Sequence, residues 1–130
     1  LFRVIHYPPL RASDNKKEVR AAAHEDINLI TILCSATSSG LQALDINNDW
    51  HDVPCDPGVI IVNIGDMLQM ASEGYYPSTT HRVINPELDD KNMPRMSMPL
   101  FLHPRDDVEL SSNYTAGEYL NKRLAEIGLK

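Results

Sequence analysis

The sequence predicts an all-β sandwich or jelly roll closed by one C-terminal helix. Some seven short apolar or alternating runs follow one another along the 130 residues, separated by clusters of Pro, Gly, Asn and Asp. No apolar period of helical spacing interrupts them, which argues against a parallel βαβ sheet. A single amphipathic pattern appears only after Thr115.

The first strand is expected over Phe2–Tyr7, stopped by Pro8-Pro9. Arg11–Lys17 is polar and loop-like. Asn28–Ala36, rich in Leu, Ile and Thr, has the composition of a buried strand. Thr37-Ser38-Ser39-Gly40 turns the chain into the alternating run Leu41–Ile46, and Asn47-Asn48-Asp49 marks a hairpin before Trp50–Val53. Val59–Ile64 follows Pro57-Gly58 as another buried strand, and Asp66–Ser72 fits one short helical turn. Thr79–Ile84 and Arg95–Leu102 complete the strands, with a polar loop over Asn85–Met93 between them. In the closing helix Thr115 and Glu118 have capping-box spacing, Ala116, Leu120 and Leu124 share a face, Glu118 and Lys122 are placed for an i,i+4 pair, and Gly128 is the stop.

Composition narrows the function classes. Asp and Glu outnumber Lys and Arg 18 to 12, and the basic residues are scattered, which argues against a nucleic-acid surface. No apolar run approaches the roughly 20 residues that cross a bilayer. Cys34 and Cys55 are too few for a disulfide framework and suit a reduced, cytoplasmic setting, Cys34 packing in the core. Leu1 is not an initiator methionine, and Phe2–Tyr7 reads as the middle of a strand, so the expectation is one domain that is a piece of a longer protein.

The chemistry starts at His24-Glu25-Asp26. If that segment is extended, His24 and Asp26 point one way and Glu25 the other, so an imidazole and a carboxylate can share a metal. His81, with 54 residues between it and Asp26, is the candidate third ligand. Two histidines and one carboxylate form the facial triad of non-haem iron(II) oxygenases, although zinc or manganese also suits such donors. Arg95 and Ser97 share a strand face 13 residues beyond His81 and together offer a carboxylate receptor. Taken singly, each has a plainer reading: His24 and Asp26 as a surface pair, His81 as a core histidine, Arg95 and Ser97 as a solvated strand face. Asn63 and Asp66 around Gly65 read as turn formers, Trp50 as hairpin packing, and the five methionines as gap-fillers.

In combination these motifs resemble the isopenicillin N synthase-like group of 2-oxoglutarate/iron(II)-dependent dioxygenases. The order His24-x-Asp26, His81-Arg82-Val83, Arg95-x-Ser97 carries the resemblance, with His6-Tyr7-Pro8-Pro9-Leu10, Gly40-Leu41-Gln42, Trp50, Val53-Pro54, Val62-Asn63-Ile64-Gly65-Asp66 and Ser78–Pro86 beside it. Phe101-Leu102-His103-Pro104 and the final helix are similar to bacterial members. The resemblance implies a double-stranded β-helix, or jelly roll, with iron held by His24, Asp26 and His81. It implies 2-oxoglutarate on Arg95 and Ser97, with Tyr7 touching cosubstrate or substrate. The implied activity is C–H oxidation of a small organic substrate by Fe(II), dioxygen and 2-oxoglutarate. Some relatives use dioxygen without 2-oxoglutarate yet keep Arg-x-Ser. Two departures stand out: Glu25 replaces the usual Thr between the first two ligands, and the family's N-terminal half is missing. Alternatives are therefore a truncated metal- or carboxylate-binding jelly roll without turnover, and a zinc hydrolase on a cupin-like barrel, in which Arg95 would have no role.

Overall fold

The computed structural model describes residues 1–11, 19–86 and 92–129. Strands β1 (Ile5–Tyr7), β3 (Ile30–Cys34), β6 (Ile60–Ile64) and β8 (Arg95–Leu102) form one sheet in the order β1-β8-β3-β6. Strands β2 (Ala21–His24), β4 (Leu41–Leu44), β5 (Trp50–Asp52) and β7 (His81–Val83) form a second, in the order β2-β7-β4-β5. Every pairing within both sheets is antiparallel, so the two four-stranded sheets make the expected jelly roll.

Strand alternation decides what faces the interior. Along β8, Arg95, Ser97 and Pro99 are buried, whereas Met96, Met98, Leu100 and Leu102 turn outward and stay exposed. The neighbouring strands obey the same parity: Thr31 and Leu33 are buried on β3, and Ile60 and Val62 are exposed on β6. With Phe2 and Val4 these residues give the first sheet an exposed apolar outer face. Cys34 belongs to that outer parity and is exposed, which corrects its expected place in the core.

One apolar cluster lies beside the sandwich, while Leu33 and Val83 are buried at the cavity between the sheets. Helix α1 (Asp66–Ala71) and the hairpin of β9 (Glu109–Ser111) and β10 (Tyr114–Thr115) bring Met67 and Leu110 against Ala116 of helix α2 (Ala116–Glu126). Ile27, Leu29, Met70, Tyr119 and Leu120 pack around them. The capping box of α2 is present: Thr115 Oγ1 accepts from the Glu118 amide at 3.3 Å, and Glu118 Oε2 accepts from the Thr115 amide at 2.9 Å. Gly128, at φ 75°, closes the helix, with its amide donating to Ala125 and that of Leu129 to Leu124. The expected Glu118–Lys122 pair gives way to other partners, since Glu118 serves the cap and Lys122 Nζ donates to the Tyr114 hydroxyl at 3.2 Å.

Several boundaries differ from expectation. The first strand keeps only Ile5–Tyr7 in its ladder, with Phe2 making an isolated bridge to Leu100. Strand β2 and the β9–β10 hairpin were not anticipated: Ala21-Ala22-Ala23 has low strand propensity, and two- or three-residue strands show no period. The loop expected over Arg11–Lys17 lies outside the described residues beyond Arg11, as does the middle of the loop over Asn85–Met93. No helix among the described residues is long and apolar enough to cross a membrane.

Candidate metal centre and its cavity

The antiparallel register of β2 and β7 sets His24 directly opposite His81, with a bulge between that pair and Ala21–Val83. The two rings lie with centroids 4.4 Å apart. Asp26 follows two residues after His24, just beyond the end of β2, and its side chain turns to the same point. Its Oδ1 lies 3.9 Å from His24 Nε2 and 3.8 Å from His81 Nε2. Both separations fall inside the ~4.3 Å that two ligands can span on one ion at bond lengths of ~2.0–2.2 Å.

The other ring nitrogens are already engaged. His24 Nδ1 lies 2.7 Å from the Ala22 carbonyl oxygen, and His81 Nδ1 lies 2.8 Å from that of Thr79. A carbonyl oxygen only accepts, so Nδ1 carries the proton in each neutral ring and Nε2 presents its lone pair to the shared point. Two nitrogen donors and one carboxylate oxygen therefore converge with their tautomers fixed, a set suited to a divalent first-row metal. Asp26 is buried at 8% exposure, and the side chains of His24 and His81 are 48% and 15% exposed, so the site opens to solvent beside His24. Glu25 points away and accepts from the Thr80 hydroxyl at 2.7 Å.

The second cluster is built on the facing sheet. Tyr7 pairs with Arg95, and Ile5 with Ser97, across the β1–β8 ladder. Arg95 is 2% exposed, its Nε donates to the Ser38 carbonyl oxygen at 3.1 Å, and its guanidinium carbon lies 5.6 Å from the centre of the Tyr7 ring. Nη1 is buried and has no hydrogen-bond partner among the described residues. Burial pushes the Arg95 pKa down, with Tyr7 opposing that shift and Arg20 adding to it. A buried guanidinium with an unanswered donor is costly unless an anion completes it. Arg20 fastens this end of the sandwich, donating through Nη2 to the carbonyl oxygens of Met93 at 2.9 Å and Pro8 at 3.5 Å.

All six sequence-predicted residues, His24, Asp26, His81, Tyr7, Arg95 and Ser97, line one cavity of about 200 Å³ between the sheets. That is below the roughly 300–1,000 Å³ typical of sites for drug-sized ligands, a scale fitting small acids. Asn63 and Asp66 do more than shape a turn. Asn63 Nδ2 donates to Asp26 Oδ2 at 3.0 Å. Asp66 is buried against α2, with Arg123 Nη2 at 3.3 Å and the Tyr119 hydroxyl at 3.4 Å from its Oδ2. Thr31 also donates to Asp26 and was not anticipated. The signal available for it was a polar residue at an inward position of an apolar strand. Trp50 lies in the hairpin stack, with the Arg82 guanidinium 4.0 Å over its ring.

Comparison with known proteins agrees with this geometry. The sequence profile of the 2OG-Fe(II) oxygenase superfamily matches residues 1–104. A 2-oxoglutarate-dependent dioxygenase of Monascus ruber is 39% identical over 93 residues, covering 69% of this chain and 28% of that protein. The clavatol oxidase of Penicillium crustosum is 33% identical over 136 residues, covering 95% of this chain and 40% of its own length. Among solved structures, a Shewanella oneidensis protein provisionally named an oxygenase superposes with a TM-score of 0.86 at 56% identity, covering 99% of this chain and 47% of that one. A Neurospora crassa protein in complex with alpha-KG superposes with a TM-score of 0.84 at 29% identity, covering 97% of this chain and 44% of its own. The chain thus spans less than half the length of each of these proteins. With two imidazoles and a carboxylate converging inside a jelly roll, and residues 1–104 of the chain matched by the profile, the chain belongs to the 2OG-Fe(II) oxygenase superfamily.

Proposed function

We propose that this chain is the catalytic core of an Fe(II)- and 2-oxoglutarate-dependent oxygenase that oxidises a small organic substrate. The observation that carries the reading is the pairing of two clusters in one cavity: convergent Nε2, Nε2 and Oδ1 atoms, and a buried guanidinium whose Nη1 has no partner among the described residues. His24, Asp26 and His81 hold the metal, and Arg95, Ser97 and Tyr7 receive the cosubstrate. When bound, iron with 2-oxoglutarate and dioxygen supplies the oxidising chemistry.

The residues of this chain supply geometry. The Ala22 and Thr79 carbonyls fix the tautomers of the two ligand histidines. Arg95 Nη1 and the Ser97 hydroxyl bind the distal carboxylate of the diacid, and Tyr7 packs its ring beside the guanidinium. The apolar wall formed by Leu33, Leu41, Val53 and Val83 limits water in the cavity. None of these groups is required to take or give a proton, so no separate general acid or base is assigned.

The reading extends to the whole protein. The exposed outer face of the first sheet, together with relatives more than twice as long, supports a core that further polypeptide covers. Unpaired Cys34 and Cys55 support a reducing, cytoplasmic compartment. The test is anaerobic addition of 2-oxoglutarate to Fe(II)-loaded protein, followed by air. A weak visible charge-transfer band, then succinate formed as 2-oxoglutarate disappears, is expected. Metal binding without either signal would leave only a binding module.

A further inference from the structure

Asp26 presents its two carboxylate oxygens to different neighbours. Oδ1 faces the two Nε2 atoms at 3.9 and 3.8 Å. Oδ2 turns the other way and accepts from Thr31 Oγ1 at 2.5 Å and from Asn63 Nδ2 at 3.0 Å. Thr31 and Asn63 stand directly opposite each other in the β3–β6 ladder, so two rigid strands aim both donors at one atom.

The direction of these bonds is fixed. Asn28 Nδ2, a donor only, gives a hydrogen bond to Thr31 Oγ1 at 2.9 Å, which leaves the hydroxyl proton for Asp26. Asn28 is itself 1% exposed and is held by its backbone, its carbonyl accepting from the Met67 amide at 3.1 Å. A carboxylate oxygen offers two lone pairs, and Oδ2 has two donors, so its capacity is filled.

We infer that Thr31 and Asn63 are positioning residues that confine Asp26 to one-oxygen ligation through Oδ1, with Asn28 orienting the Thr31 hydroxyl. The inference rests on the reading of Asp26 as a metal ligand. A carboxylate that bound through both oxygens would occupy one more position on the ion, at the expense of cosubstrate or oxidant. To do so here it would have to break both bonds to Oδ2.

Cobalt(II) is the probe, because its visible bands report coordination number and its binding can be titrated without turnover. Thr31→Val and Asn63→Leu remove one donor each at similar volume. Each is expected to change the position and intensity of the bands at saturation and to weaken Co(II) binding roughly 10–100-fold. Thr31→Ser restores the hydroxyl and is expected to restore both. Variants with wild-type bands and affinity would overturn the inference. Should the variants fail to fold, infrared carboxylate stretches of the metal-loaded wild type decide it. A wide separation between the symmetric and asymmetric stretches supports one-oxygen ligation, and a narrow one overturns it. Asp26→Ala distinguishes the two claims: undiminished Co(II) binding by that variant would remove the ligand assignment itself.

Discussion

Replacing Arg95 with methionine separates binding from stability. In the native chain the guanidinium is 2% exposed, makes one bond to the Ser38 carbonyl at 3.1 Å and leaves Nη1 without a partner among the described residues. A two-pronged contact to a carboxylate would add two charge-assisted bonds at roughly 1.5–3 kcal/mol each. Their joint loss is about 3–6 kcal/mol, which at 1.4 kcal/mol per decade weakens 2-oxoglutarate on the order of 10²–10⁴-fold. Stability should move far less. The variant loses the Ser38 bond and the contact with Tyr7, but it also removes a buried, partly unpaired charge, and methionine fills similar space. The net is about 1 kcal/mol in either direction, a shift of a few degrees in Tm. The assay is an anaerobic titration of Fe(II)-loaded protein with 2-oxoglutarate, read by the visible band, beside a thermal melt. A dissociation constant within a few-fold of wild type, or a loss of folding with intact binding, would refute the assignment and make Arg95 a structural residue.

Three further outcomes follow from the same geometry. His81→Ala removes one of the two Nε2 donors, so Co(II) binding and the cosubstrate band should vanish together; retention of either contradicts the shared centre. Gly65→Ala places a Cβ well inside van der Waals contact with the Asn28 carbonyl oxygen and its Oδ1. Contacts that short force a backbone shift, so the variant should lose at least ~1–3 kcal/mol of stability and weaken metal binding through Asn28; a wild-type melt would show the approach to be looser. Burial, with a smaller push from Glu25, raises the Asp66 pKa above the ordinary carboxylate value, against the hydrogen bond from Ser78 and the charge of Arg123, which lower it. The protonated form is then favoured by folding, so this contribution is complete below the unfolded value of about 4 and is lost as pH rises through the folded one. Wild type should therefore gain stability over Asp66→Asn as pH falls from 7 to about 4, and an opposite slope in paired melts would reject the argument.

The six residues of the two clusters were singled out by the resemblance of their motifs to a known family, whereas the sequence by itself determined the run of strands and which side chains share a strand face. The reason is that a strand has a period of two. Alternation along Arg95–Leu102 already separates Arg95, Ser97 and Pro99 from Met96, Met98 and Leu100, and the structure buries the first set and exposes the second. The closing helix was equally legible, because its capping box and its glycine stop are local chemistry. Short elements without a period escaped: β2 begins with three alanines, and the β9–β10 hairpin has strands of three and two residues. Only the tertiary structure decided the pairing of strands distant in sequence. Register sets His24 across from His81 and Tyr7 across from Arg95, and nothing local encodes register between strands tens of residues apart. The same applies to the supports of the metal centre. Thr31 and Asn63 look like isolated polar residues in apolar strands until β3 and β6 align them on a single oxygen of Asp26.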